Sequence, residues 1–194
     1  MGTGHAQDPL RPATGLPQDG EQIVERLTDL HLGRMKTLAL LRHGKSSWDD
    51  VSLRNFDRPL SKRGRTASEL IGAEMKRHGL VFDLVLASPA ERVRQTIAYV
   101  TRGYGQPLQP RFVAEIYPAS CEMLCTILRP VGSDVRHVLV VGHNPALQQL
   151  ACHLVNRSEG QPLHDFEAAF PTAALALLEL PDIGWTGSRP AWLN

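Results

Sequence analysis

The residues best suited to chemistry are Arg42-His43-Gly44, which close the apolar run Leu38-Ala39-Leu40-Leu41. A strand that stops at Arg-His-Gly delivers a guanidinium and an imidazole to one edge of a sheet, where open α/β folds hold ligands. The guanidinium is a rigid fork of donors matched to phosphate oxygens. The imidazole is able to attack as a nucleophile or to move a proton near neutral pH. Together they point to phosphoryl chemistry at a histidine; alone, the tripeptide is equally a surface loop. A second cluster repeats the arrangement, with Val138-Leu139-Val140-Val141 running into Gly142-His143-Asn144-Pro145. At a third junction Leu84-Val85-Leu86-Ala87 leads into Ser88-Pro89 and then Arg92. That spacing places Ser88 at the sheet edge and Arg92 in the first turn of a helix, whose N-terminus favours an anion. Arg92 and Gln95 share a helix face, whereas Arg94 points elsewhere. Without the other two junctions, both arginines read as solvated helix residues.

Alternating strands and helices must carry these junctions. Strands are predicted over 37–41, 83–87, 136–141 and 173–180, with a weaker, edge-like one over 109–113. Helices are predicted over 61–78, 91–101, 120–128 and 145–155. Ser61 is the N-cap of the first, Gly79 ends it, and Pro145 suits the start of the last. Such alternation implies an α/β fold, a mainly parallel central sheet with helices on both faces. The domain is expected to occupy 35–194. Residues 1–34 read as an extension: a flexible Gly- and Pro-rich tail to about residue 20, then a short helix over 21–32 from the spacing of Ile23, Leu27, Leu30 and His31.

Composition narrows the function classes. The 194 residues carry 21 Lys+Arg against 20 Asp+Glu, a net charge of +1, which argues against a broad nucleic-acid binder. A small cationic pocket remains compatible with that balance. The three cysteines, Cys121, Cys125 and Cys152, are an odd number without a signal peptide, which points to a reducing, cytoplasmic setting. Cys121 and Cys125 share a helix face, but no second Cys-x-x-Cys supports a metal site, and buried thiols are the simpler reading. No apolar run approaches the roughly 18 residues that span a membrane.

The ordered set Arg42-His43-Gly44, Ser88-Pro89 with Arg92, Gln95 and Thr96, and Gly142-His143 resembles the histidine phosphatase superfamily, the phosphoglycerate mutase-like group. The flanking text Leu41-Arg42-His43-Gly44-Lys45-Ser46-Ser47-Trp48 and Asp57-Arg58-Pro59-Leu60-Ser61-Lys62-Arg63-Gly64 resembles its SixA-like branch, named for a phosphohistidine phosphatase. The resemblance spans about residues 35–180. It implies a three-layer α/β/α sandwich of the phosphoglycerate mutase-like type and a two-step, metal-independent and cofactor-free hydrolysis. His43 would take the phosphoryl group and water would release it. Arg42 and Arg92 would hold the equatorial oxygens, and His143 would add a donor as imidazolium beside the dianion. Glu115, in Ala114-Glu115-Ile116-Tyr117, matches the region that supplies a leaving-group acid in the wider superfamily; its other reading is a loop carboxylate. Lys45 and Ser46 follow the nucleophile closely enough to touch phosphate, and Arg58 is placed either to reach substrate or to shape its loop. Trp48 either walls the cleft or packs, and Phe166, Phe170 and Pro171 precede the last strand where they would close one side. The expected substrate is phosphohistidine on a carrier protein, with phosphate or sulfate as simple site ligands. A small-molecule phosphoester phosphatase and a non-catalytic phosphate-binding module are the alternatives.

Overall fold

The computed structural model describes residues 24–27, 35–155, 170–181 and 185. Its centre is a six-stranded sheet in the order β1-β6-β2-β5-β3-β4, formed by β1 (Val24–Leu27), β2 (Met35–Arg42), β3 (Leu84–Ala87), β4 (Pro110–Phe112), β5 (His137–Gly142) and β6 (Leu175–Pro181). β2, β5, β3 and β4 run parallel, as the alternating pattern requires. β6 pairs antiparallel with β2, and β1 lies parallel to β6 on its outer side. Among the described residues four helices cover the sheet: α1 (Lys62–Arg77), α2 (Glu91–Tyr104), α3 (Cys121–Leu128) and α4 (Ala146–Val155).

Successive strand side chains point to opposite faces, and β2 is apolar on both. Leu38 and Leu40 pack with Leu124, Leu128, Leu147 and Leu150 of α3 and α4. Ala39 and Leu41 pack with Ile71 and Met75 of α1 and with Val93, Ile97 and Val100 of α2. The three-layer α/β/α sandwich is therefore present. Ser61 caps α1 by accepting the Gly64 N–H at 3.1 Å, and Gly105, at φ 75°, closes α2 in the left-handed region.

The predicted helix over 21–32 is corrected: its middle, Val24–Leu27, is strand β1, in register with Leu175–Leu178. A chain beside the outer edge of β6 satisfies backbone groups that an isolated amphipathic turn would leave to water. The tail assigned to residues 1–20 lies outside the described residues, as do Phe166 and the segment 28–34.

Register decides where the chemistry sits. Arg42 pairs with Gly142, and Ala87 with Val141. The C-terminal ends of β2, β5 and β3 therefore finish side by side, with β5 in the middle. At the opposite end of the sheet a cavity of about 220 Å³ opens beside Thr37, Leu80, Phe82 and His137, and none of the residues at the Arg42 end lines it.

Candidate active site

Each strand end hands one residue to the same space. His43 follows β2, His143 follows β5, and Ser88 follows β3, with Arg92 on the first turn of α2. The His43 and His143 rings lie 5.0 Å apart between centroids. One guanidinium spans both: Arg92 Nε donates to His43 Nε2 at 3.3 Å, and its Nη2 donates to His143 Nδ1 at 3.1 Å. The remaining Arg92 amino group donates to the Asn55 carbonyl at 2.6 Å, and its guanidinium lies 5.7 Å from the Tyr117 ring centroid. Arg42 donates Nη1 to the Phe170 carbonyl at 2.6 Å, while its Nε is buried with no partner. A carbonyl 128 residues away thus holds one arginine, because β6 enters the sheet beside β2 just past Phe170.

His43 is fixed in one tautomer. A carbonyl oxygen only accepts, so Nδ1–H donates to the Gly44 carbonyl at 2.7 Å and the lone pair stays on Nε2. Burial pushes the His43 pKa down to about 4; the bond to Gly44 opposes the shift, and the charges of Arg92 and Arg42 add to it. Burial likewise pushes His143 down to about 3, helped by His43, Arg92 and Arg42. Both rings are therefore neutral in the anion-free site at neutral pH. The imidazolium expected at His143 belongs to the state with a dianion bound; without the anion, desolvation and two neighbouring cations oppose a third charge. Burial also lowers the Arg42 and Arg92 pKa values, with the Arg58 charge a further, smaller cause at Arg92.

The supporting shell explains the flanking motif. Thr96 Oγ1, fully buried, accepts the Gly44 N–H at 3.0 Å and donates to the Arg92 carbonyl at 2.6 Å, which ties α2 to the turn after His43. Gln95 accepts the Leu60 N–H at 2.8 Å. A Cβ on Gly44 would come within 2.7 Å of both the Gly64 carbonyl and Ser68 Oγ, and one on Gly64 would overlap the Lys45 backbone. The two motif glycines therefore let α1 close directly under the loop that follows His43.

The other expected residues separate by position. Arg58 is buried and donates Nε and Nη2 to the Ser47 carbonyl at 3.1 and 2.6 Å, under the Trp48 ring. It shapes the loop first, and its charge still reaches Arg92. Ser46 bridges Leu60, and the Lys45 side chain is exposed. Glu115 is exposed on the 3-10 turn Ala114–Ile116, and among the described residues no hydrogen bond or ion pair joins it to His43, Arg92 or His143. Three contacts were not foreseen from the sequence: the Ser88 hydroxyl, 2.9 Å from His143 Nε2; the Asn55 carbonyl; and Tyr117, whose ring stands edge-on to His143 at 5.4 Å. Ser88 was legible as a sheet-edge residue, but nothing in its type announced a histidine partner.

Neither active-site guanidinium has a carboxylate partner among the described residues. The buried Arg92, the half-buried Arg42 and its orphaned N–H, around a neutral imidazole nitrogen, form a seat suited to an oxyanion. The family model for the histidine phosphatase superfamily (branch 1) matches residues 38–113. The uncharacterised Mycobacterium tuberculosis protein Rv1276c is 31% identical over 142 residues, spanning 72% of this chain and 87% of that one. The chain belongs to the histidine phosphatase superfamily. Within it the chain is SixA-like. A protein from Agrobacterium tumefaciens assigned as the phosphohistidine phosphatase SixA superposes with a TM-score of 0.65 at 29% identity, over 73% of this chain and 90% of that one. The protein histidine phosphatase SixA solved with tungstate superposes with a TM-score of 0.61 at 26% identity, over 73% and 86%. The match to the superfamily's model runs from β2 through β4, so it holds His43 and Arg92, and the fold adds His143 and the Phe170 carbonyl from outside that stretch. Among the described residues no three His, Cys, Asp or Glu side chains are grouped to hold a metal, and burial pushes the Cys121 thiol up to about 12. Among those residues no helix is long and apolar enough to cross a membrane.

Proposed function

We propose that this phosphatase works through a phosphohistidine on His43 and removes phosphate from phosphohistidine carried on a protein. The observation that carries the reading is the neutral Nε2 of His43, its lone pair met by Arg92 Nε, beside two guanidiniums that lack a carboxylate among the described residues. A phosphate or sulfate ion fits that charge. In the first step the Nε2–P bond forms as the substrate's P–N bond breaks, and the departing imidazole takes a proton from solvent. In the second, water attacks phosphorus, the Nε2–P bond breaks, and phosphate leaves. Arg42 and Arg92 hold the oxygens through both steps, supplying fixed positive charge where the transition state needs it.

Two features support a protein-borne substrate. The solved SixA relatives carry that activity in their names. The loop from Ser47 to Arg58 has its inner end on Arg92 and Tyr117, while its outer end presents Trp48 at 68% and Val51 at 89% exposure, with Leu53 beside them. Asp50 stiffens the tip by accepting the Ser52 N–H and hydroxyl at 2.9 and 2.6 Å. A stiff apolar tip beside a phosphate seat fits a protein surface around the phosphorylated histidine. The test is turnover of a phosphohistidine carrier against an aryl phosphate. The double variant Val51→Ser/Leu53→Ser is expected to raise the carrier KM about ten-fold while leaving aryl phosphate turnover unchanged. Equal kinetics for the carrier in variant and wild type would contradict it.

A small phosphoester is the second reading, favoured by the place of Glu115 on the turn that carries Tyr117. An alkoxide leaving group needs an acid more than an imidazole does. Glu115→Gln is therefore expected to lower alkyl phosphate turnover and spare phosphohistidine turnover.

A further inference from the structure

We propose that Ser88 is a positioning residue that makes His143 a proton-linked clamp: it holds the Nε2–H, so that Nδ1 faces the phosphate seat and gains a proton as an anion enters. This inference rests on the seat being a phosphate site.

The tautomer of His143 follows from its two partners. Arg92 Nη2 stands 3.1 Å from Nδ1, and a guanidinium only donates. Nδ1 must then accept, so the ring proton sits on Nε2, 2.9 Å from Ser88 Oγ. Ser88 is fully buried, and its oxygen also accepts the Ala90 N–H at 3.3 Å. It stands at the end of β3, directly beside β5, so its distance from the ring is set by strand register rather than by a loop. The same Arg92 guanidinium touches His43 Nε2, which places His143 Nδ1 and the attacking nitrogen on one space.

A lone pair on Nδ1 repels a phosphate oxygen. The anion-free ring stays neutral first because it is buried, and then because His43, Arg92 and Arg42 face it, with Tyr117 edge-on and no carboxylate among the described residues. A bound dianion reverses the sign of that field. Nδ1 then takes one proton from solvent and donates to the anion, and Ser88 accepts from the other side of the imidazolium. Hydrogen bonds to a charged group are the stronger kind, so the hydroxyl matters most in the complex. Anion binding and proton uptake become one event.

Sulfate, which stays a dianion throughout the working range, is the probe. Nitrogen-15 NMR of the wild-type imidazoles is expected to show His143 as the neutral Nε2–H tautomer without sulfate and as imidazolium with it. Titration calorimetry in two buffers of different ionisation heat reads the proton uptake. Ser88→Ala is expected to bind sulfate about ten-fold more weakly at about pH 5 and to take up fewer protons, with the gap closing at about pH 8. Ser88→Cys, which keeps a weak acceptor of similar size, should fall between. An Nδ1–H tautomer in the free protein overturns the proposal, as does a Ser88→Ala loss that is equal at both pH values with unchanged proton uptake. Failure of wild type to bind sulfate at all would strike the phosphate seat itself.

Discussion

At the scale of single residues, the site is governed by a refusal of protons. His43 and His143 sit near 4 and 3, well below the ordinary histidine value near 6.5, with burial the main cause in each. A base whose folded pKa is depressed destabilises the fold on the acid side. Above about pH 6.5 neither state binds the proton, so both rings cost nothing through linkage. Between about 6.5 and about 4 the unfolded chain binds protons that the native rings decline. Stability is therefore expected to fall with pH through that window by up to about 1.4 kcal/mol per pH unit for each ring. Urea unfolding at a series of pH values checks this, and His43→Asn should flatten the slope. Phosphate should flatten it too, because an anion between the arginines lets the native rings accept charge. Arg42, His43, Arg92 and His143 were legible because each lies at a strand end or first helical turn, where apolar pattern and residue type coincide. Their partners were not. The Phe170 and Asn55 carbonyls lie 128 and 37 residues from the arginines they hold, and a backbone oxygen carries no residue signature.

At the scale of elements, close approach decides what the sequence must contain. A Cβ on Gly72 of α1 would overlap the Val100 carbonyl of α2, and one on Gly103 of α2 would overlap the Glu69 carbonyl of α1. Both glycines are spent on bringing the two helices together, and α2 carries Arg92. Gly72→Ala is expected to cost about 1–3 kcal/mol in denaturant unfolding and to weaken phosphate binding by tilting Arg92 away from His43. An unchanged midpoint would mean that the helices do not meet this closely. Strand and helix positions followed from period and punctuation within a few residues: α3 at Cys121–Leu128 against 120–128, β5 at His137–Gly142 against 136–141. The miss at Val24–Leu27 has a tertiary cause. Ile23, Leu27 and Leu30 fit a helical stripe, but the free edge of β6 offers a ladder that no local spacing reveals. Ala173 is a second case. It holds φ 64°, a left-handed conformation costly for a residue with a Cβ, and its N–H reaches the Arg42 and His43 carbonyls at 3.2 and 3.0 Å. The chain turns there to bring Phe170 over Arg42, and an alanine gives no warning of it.

At the scale of the whole molecule, one end of the sheet gathers the groups the proposed reaction would use. Three parallel strands stop in register, the antiparallel β6 brings the Phe170 carbonyl to the same end, and α2 points its N-terminus there. Positive charge at the seat comes from Arg42 and Arg92, so turnover is expected to be indifferent to a chelator. The most direct test is rapid quenching of the enzyme with a labelled phosphohistidine carrier in the presence of chelator, followed by mapping of the modified residue. The expected result is an acid-labile, base-stable phosphoryl group on His43 in wild type, with neither label nor phosphate release in His43→Ala. Release that persists in His43→Ala, or a label on another residue, would contradict a histidine nucleophile at this site.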